Sequence, residues 1–282
     1  MLTGRRLSAR ALLWVPAVTM SAMIVAVLIV LLDYSLGYVS VSADAGGSRF
    51  ALYRALLSSS SFHRTIMETL WLAGIVTALC NVMGFPLARA ILLTPSPSLR
   101  RSVLLGLFAV LMSGAVTRGY AWMLILDKRG LLNAALVALH CPPARLNNSM
   151  GAVVVTMTSV TLPFYVLTLF GALKNVTPEI ERAAANLGAT SWQRLRHVVL
   201  PLAAPGLVAA NTVCFSLSLG AFLYPELLGG GRVRVLATAI YEDVQTAYDV
   251  PRAAAMSVLF LSVALLLRSL LAVSARWAGD GR

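Results

Sequence analysis

Acid is what this sequence has least of. Asp and Glu together number 11 in 282 residues, against 23 Lys and Arg, and all charged residues make up 12% of the chain while hydrophobic ones make up 59%. With a mean hydropathy of +0.81, this excludes an ordinary soluble globular domain, about a quarter of which is charged. Three cysteines, Cys80, Cys141 and Cys214, stand far apart, which excludes a disulfide framework and any metal-type spacing. The three histidines, His63, His140 and His197, are scattered too. No Ser-His-Asp or HExxH arrangement is present, so no catalytic role is expected. The glycine run Gly229 to Gly231 lacks the Lys-Ser/Thr of a phosphate loop and reads as a flexible turn. No cofactor or metal is expected on this chain.

What the sequence does have is long apolar runs. Six stretches reach the 20 or so residues a helix needs to cross a bilayer: roughly 11–33, 66–90, 101–126, 150–173, 203–224 and 252–273. All are expected to be helical, because lipid offers no partner for backbone N–H and C=O groups. The net charge of +12 would suit a nucleic-acid binder only if the basic residues formed one patch. They sit between apolar runs instead, which makes them topology signals and excludes nucleic acid as a partner. The N-terminus, 89–101, 174–200 and the C-terminus carry thirteen of the 23 Lys and Arg, among them Arg89, Arg100, Arg101, Lys174, Arg182 and Arg194; 34–65, 127–149 and 225–252 carry nine. The first set is therefore expected inside, with both termini cytoplasmic, in a membrane crossed six times. Arg5 and Arg6 before the first run resemble a signal peptide, with "VSA" at Val41 to Ala43 as a cleavage site. The run is about twice the usual signal length, so an uncleaved anchor is expected. The chain divides into 1–65 (tail, first span, external loop), 66–273 (core) and 274–282 (tail).

The apolar pattern breaks at "TPEIERAAANLGATSWQRLRHVVLPLAAPG", Thr177 to Gly206. Thr177 fits an N-cap, Pro178 the first helical position, and Glu179 and Glu181 the first turn, where the helix dipole favours acids. Ile180, Ala183, Ala184 and Leu187 recur at helical spacing. Gly188 fits a left-handed cap. Thr190 with Gln193 has capping-box form, opening a second helix with Trp192, Leu195 and Val199 on one side, expected to stop at Pro201. Such a helix, turn and helix either lies on lipid headgroups or docks a partner.

"ERAAANLGA" followed by "VVLPLAAPG" resembles the EAA loop of binding-protein-dependent ABC importer permeases. In that family the loop is a coupling helix that seats in a groove of the ATP-hydrolysing subunit. Ala183, Ala184, Gly188, Ala189, Leu200 and Pro201 match the motif, whereas the family's glutamate falls on Arg182, with Glu181 one residue earlier and so about 100° round the helix. "RTIMETLWLAGIVTALCNVMGFPLARA" from Arg64, "TRGYAWMLILDKRGLLNAAL" from Thr117 and "GAFLYPELLGG" from Gly220 resemble parts of spermidine/putrescine-type permeases. The resemblance, over roughly 60–270, implies a type I ABC importer permease fold, all helical. It implies a second, similar permease, two ATPase copies holding ATP and magnesium, a solute-binding protein outside, and transport by alternating access. Relatives for other small organic solutes or ferric iron share much of this pattern.

A polyamine path calls for carboxylates and aromatic faces. Candidates are Asp127, Glu226 and Glu68, with Tyr120, Trp122 and Tyr224, although an interfacial aromatic belt explains those rings as well. Arg118 falls inside a span, at a cost of about 2.5–3.5 kcal/mol if unpaired; a pair with Glu68 is expected. Asn211, Phe215, Ser218 and Phe222 recur at helical spacing, either lining the path or packing helices together. Pro86, Pro163, Pro205 and Pro225 lie in or at the ends of spans, where they bend helices. A secondary transporter, which would carry inverted repeats and mid-span charges, and a membrane scaffold are the competing classes.

Overall fold

A backbone that has to satisfy its own polar groups in lipid is left with helix, and no strand occurs among the described residues. The computed structural model describes residues 3–41, 50–142, 146–174 and 178–280, the side chains of 3–13, 37–41, 51, 178 and 270–280 excepted. The "VSA" site and Thr177 lie wholly or mostly outside them. In order come α1 (Thr3–Val41), α2 (Ala51–Ser58), α3 (Ser60–Leu93), α4 (Pro97–Met112), α5 (Ala115–Leu126), α6 (Leu131–Ala138), α7 (Met150–Leu173), α8 (Pro178–Asn186) and α9 (Ser191–Arg194). A π turn (Leu195–Val199) leads into α10 (Leu200–Leu219), followed by α11 (Leu223–Gly229), α12 (Leu236–Gln245) and α13 (Val250–Asp280).

Five helical stretches are long and apolar enough to span: Trp14–Leu36, Ser60–Leu93, Met150–Leu173, Ser191–Leu219 and Val250–Ser269. The expected third span is not one straight helix. It is broken, with α4 meeting the segment Ala115–Ala138 at 98°, and is a sixth span only as a bent pair. Ser113 and Gly114 have extended backbone, and both the N–H and the hydroxyl of Ser113 turn back onto the end of α4, donating to the carbonyls of Ala109 and Val110. Hydropathy alone is blind to such a break.

The fifth span differs at both ends. The helix expected to stop at Pro201 runs on from Ser191 to Leu219 without interruption. Just ahead of Pro201 the backbone widens, the N–H of Leu200 reaching back five residues to the carbonyl of Leu195, and the wider turn accommodates a residue with no N–H of its own. At the far end α10 stops at Leu219 with Gly220 as its cap. Phe222 is therefore off the helix that carries Asn211, Phe215 and Ser218. The glycine run forms a turn, with Gly230 and Gly231 at φ +53° and +71°.

Residues 63–238 with 263–282 form the larger of two compact units. Its centre is α7, apolar on every side, with Tyr165, Val166, Leu169 and Leu173 buried; α4, α5, α10 and α11 pack around it. The closest approach is at Gly206, where a β-carbon would overlap that of Ala172. Polar groups join three helices: Asn81 of α3 donates to Asn211 of α10 (2.6 Å) and to the Thr77 carbonyl (2.8 Å), and its amide oxygen accepts from Tyr165 of α7 (2.8 Å). Cys80 and Cys214 are buried and free on either side of Thr161, the first 3.2 Å from its hydroxyl and the second 3.7 Å from its carbonyl. Both are small packing residues, as expected.

The smaller unit comprises residues 1–62 and 239–262. In it Tyr53 donates to Ser35 (2.7 Å) and Arg252 pairs with Asp243 (3.4 Å). Trp14, Met20 and Met23 of α1 stand exposed, a surface suited to lipid tails.

Gly206→Ala should lower the thermal midpoint of the detergent-solubilised chain, since overpacking costs about 1–3 kcal/mol. Gly171→Ala, on α7 with nothing within 4 Å of the added carbon, should leave it unchanged or raise it through helix propensity. Equal shifts in the two variants would refute the close contact.

Candidate functional site

The loop that interrupts the apolar pattern is built from local signals that the sequence carries openly. Glu179 and Glu181 occupy the first turn of α8. At its end the N–H of Gly188 donates to the Ala185 carbonyl (2.9 Å) and that of Ala189 to the Ala184 carbonyl (3.1 Å). With Gly188 at φ +84°, this is a Schellman cap. Thr190 and Gln193 make both halves of a capping box, at 2.8 and 3.3 Å. From there the chain runs unbroken into α10, so the motif residues Leu200 and Pro201 lie at the head of a membrane helix.

Two faces of α8 do different things. Glu181 turns toward the membrane helices and accepts from Arg89 near the end of α3 at 3.0 Å, both side chains about one-fifth exposed. Ala184 is half-buried. Ile180, Ala183 and Leu187 form an apolar stripe that is open to solvent, Leu187 at 89% exposure. Arg182 lies on neither face; it lines a cavity of about 400 Å³ with Arg100, Lys174 and Arg194. The Arg89 partner was illegible in sequence because 92 residues separate it from Glu181.

The other candidates are only partly brought together. Helices α5 and α11 pack side by side, with the buried Tyr224 donating to the Ala115 carbonyl at 3.3 Å. Tyr120 is exposed and Trp122 packs half-buried against the core. Asp127 caps the end of α5, its carbonyl accepting from Asn133 and its carboxylate exposed; Glu226 is exposed in the first turn of α11. Asn211 is committed to Asn81, and Ser218 is buried with no partner for its hydroxyl. The expected pair of Arg118 with Glu68 does not form. Glu68 takes Arg64, four residues earlier on the same helix, at 2.9 Å and the N–H of Arg234 at 3.2 Å. Nε and Nη1 of Arg118 are buried with no partner.

Over residues 6–279 the sequence matches the family model described as binding-protein-dependent transport system inner membrane component. The chain belongs to that family. Among its relatives, the spermidine/putrescine transport system permease protein PotB of Haemophilus influenzae is 28% identical over 209 residues, 73% of each chain. The molybdenum transport system permease protein ModB of Mycobacterium bovis is 33% identical over 228 residues, covering 79% of this chain and 82% of that one. In structure the chain resembles a component of a bacterial alginate ABC transporter, crystallised with its alginate pentasaccharide-bound periplasmic protein. The TM-score is 0.82 at 19% identity, over 98% of this chain and 96% of the other. The fold is that of a type I ABC importer permease, a multi-pass inner-membrane protein.

If Glu181 holds α8 to α3, Arg89→Gln and Glu181→Gln should each speed amide exchange across α8 by roughly five- to thirtyfold, the factor for about 1–2 kcal/mol. The swapped Arg89→Glu/Glu181→Arg chain should recover most of the protection. No recovery in the swap would mean that the two residues act independently.

Proposed function

We propose that this chain forms half of the translocation path of an ATP-driven importer and that α8 is its coupling element. The observation that carries this is the division of labour on α8: one face tied to α3 through Glu181 and Arg89, the other an uncovered apolar stripe of Ile180, Ala183 and Leu187. A short helix is marginal alone, so an open apolar stripe on a helix already anchored from behind is suited to a partner protein. Both termini and α8 face the cytoplasm, where the stripe seats on an ATPase that holds the ATP and magnesium. Two ATPase copies, a second similar permease and an external solute-binding protein complete the assembly. Glu181, one residue and about 100° of rotation from the motif's glutamate position at Arg182, anchors α8 to α3 through Arg89.

Closure of the ATPase pair on ATP moves α8. Arg89 passes that movement to α3, and the unbroken run from Thr190 passes it to α10, so two membrane helices rock together and the cavity alternates between inside and outside. The chain contributes mechanics, with no covalent step of its own.

For the cargo, the likeness to PotB and the exposed carboxylates of Asp127 and Glu226 support a polyamine. A second reading has its own observation. The unpartnered guanidinium of Arg118 and the likeness to ModB favour an anionic cargo.

Two experiments test these readings. Gly188→Val places a β-branched residue at φ +84°, a strain of about 1–2 kcal/mol, and should cut gene-dependent uptake at least about tenfold while membrane insertion is kept. Normal uptake would remove α8 from the coupling role. Labelled spermidine and molybdate, each offered to cells with and without the gene, separate the cargoes: uptake of spermidine alone supports the polyamine, and uptake of molybdate alone supports the anion.

A further inference from the structure

We infer that the basic cavity behind α8 holds the phosphate of an anionic phospholipid. Four cations line its 400 Å³: Arg100 at the start of α4, Lys174 at the end of α7, Arg182 of α8 and Arg194 of α9. Glu181, the carboxylate on the same wall, is already neutralised by Arg89 at 3.0 Å. Among the described residues none of the four cations pairs with a carboxylate. The Nε of Arg194 is buried without an acceptor, while its Nη2 donates to Ser191. A buried guanidinium N–H left unpaired is costly, and a phosphate oxygen is the acceptor that guanidinium geometry fits best.

The surroundings identify the source of that phosphate. The cavity opens where α3 and α7 end and α4 begins, at the level where apolar helix gives way to headgroups. An adjoining cavity of about 410 Å³ shares Leu92, Arg100 and Lys174 and adds Arg101, Leu104 and Phe170. Lys174 lies 4.9 Å over the Phe170 ring. Beyond it α4 has no buried residue and exposes Leu99, Leu105 and Phe108. Cationic at one end and apolar along the other, the paired cavities suit a headgroup with its acyl chain, not a soluble phosphate. Basic pockets between membrane helices bind anionic headgroups in this way. The apolar stripe of α8 is a different surface: Arg182 is about 200° round the helix from Ile180. A lipid there would brace α8 against α4 and α7 without competing for that stripe, and this holds whatever the cargo is.

The test uses the full chain, purified in detergent, loaded with phosphatidylglycerol or phosphatidylcholine and weighed intact by native mass spectrometry. Phosphatidylglycerol should be retained over phosphatidylcholine, and Arg100→Gln/Arg194→Gln should reduce that retention at least about tenfold. Lys128→Gln, on the loop after α5, should change nothing. If the double variant does not fold by circular dichroism and elution, Arg100→Gln and Lys174→Gln singly should each lose about fivefold. Undiminished retention in the folded variants, equal retention of phosphatidylcholine, or displacement of phosphatidylglycerol by millimolar inorganic phosphate would each overturn the lipid site.

Discussion

The ion pair between Arg89 and Glu181 ties the charged helix α8 to the apolar body of the chain. Without it α8 would be a nine-residue helix with an apolar stripe on one side and nothing fixed on the other, too short to persist in water. With it, the rear of α8 is committed to α3, and the forward stripe is presented at a defined angle. Because both side chains are about one-fifth exposed, the bond is wet enough to form at modest desolvation cost and dry enough to resist screening by salt.

Behind that contact the membrane body is stiffened by different means. Small residues let helices approach, as at Gly206 against Ala172, and a few polar side chains satisfy one another across α3, α7 and α10. Lipid provides no hydrophobic drive between helices, so packing and such hydrogen bonds are what hold them. The exceptions are informative. Ser113 and Gly114 break a span, and Arg118 lies close after the break with buried nitrogens unpaired, so the irregular backbone and the costly charge fall in the same part of the chain.

What the sequence made legible was local. The first, second, fourth and sixth spans, the Gly188 cap and the Thr190–Gln193 box all rest on residues within a few positions of one another, and periodicity or capping chemistry reports them directly. The misreadings share the opposite character. Pro201 signals a stop unless the backbone widens ahead of it, which no residue announces. The break at 113–114 hides in an apolar run. Glu68 pairs with Arg64 at i,i−4, which the helix itself holds within reach, and not with Arg118 across the fold. Arg89, Asn81 and Tyr165, which do the joining, have partners 84 to 130 residues away, and single-sequence periodicity carries no information at that distance.

In the proposed importer the ATPase seats on the exposed stripe of α8. The most direct measurement is co-purification of the co-expressed ATPase with Leu187→Asp, beside Ala185→Asp on the opposite side of the same helix. Loss of the ATPase from the first variant and its retention by the second is the predicted result. Retention by both, with the chains folded in the membrane, would contradict the account.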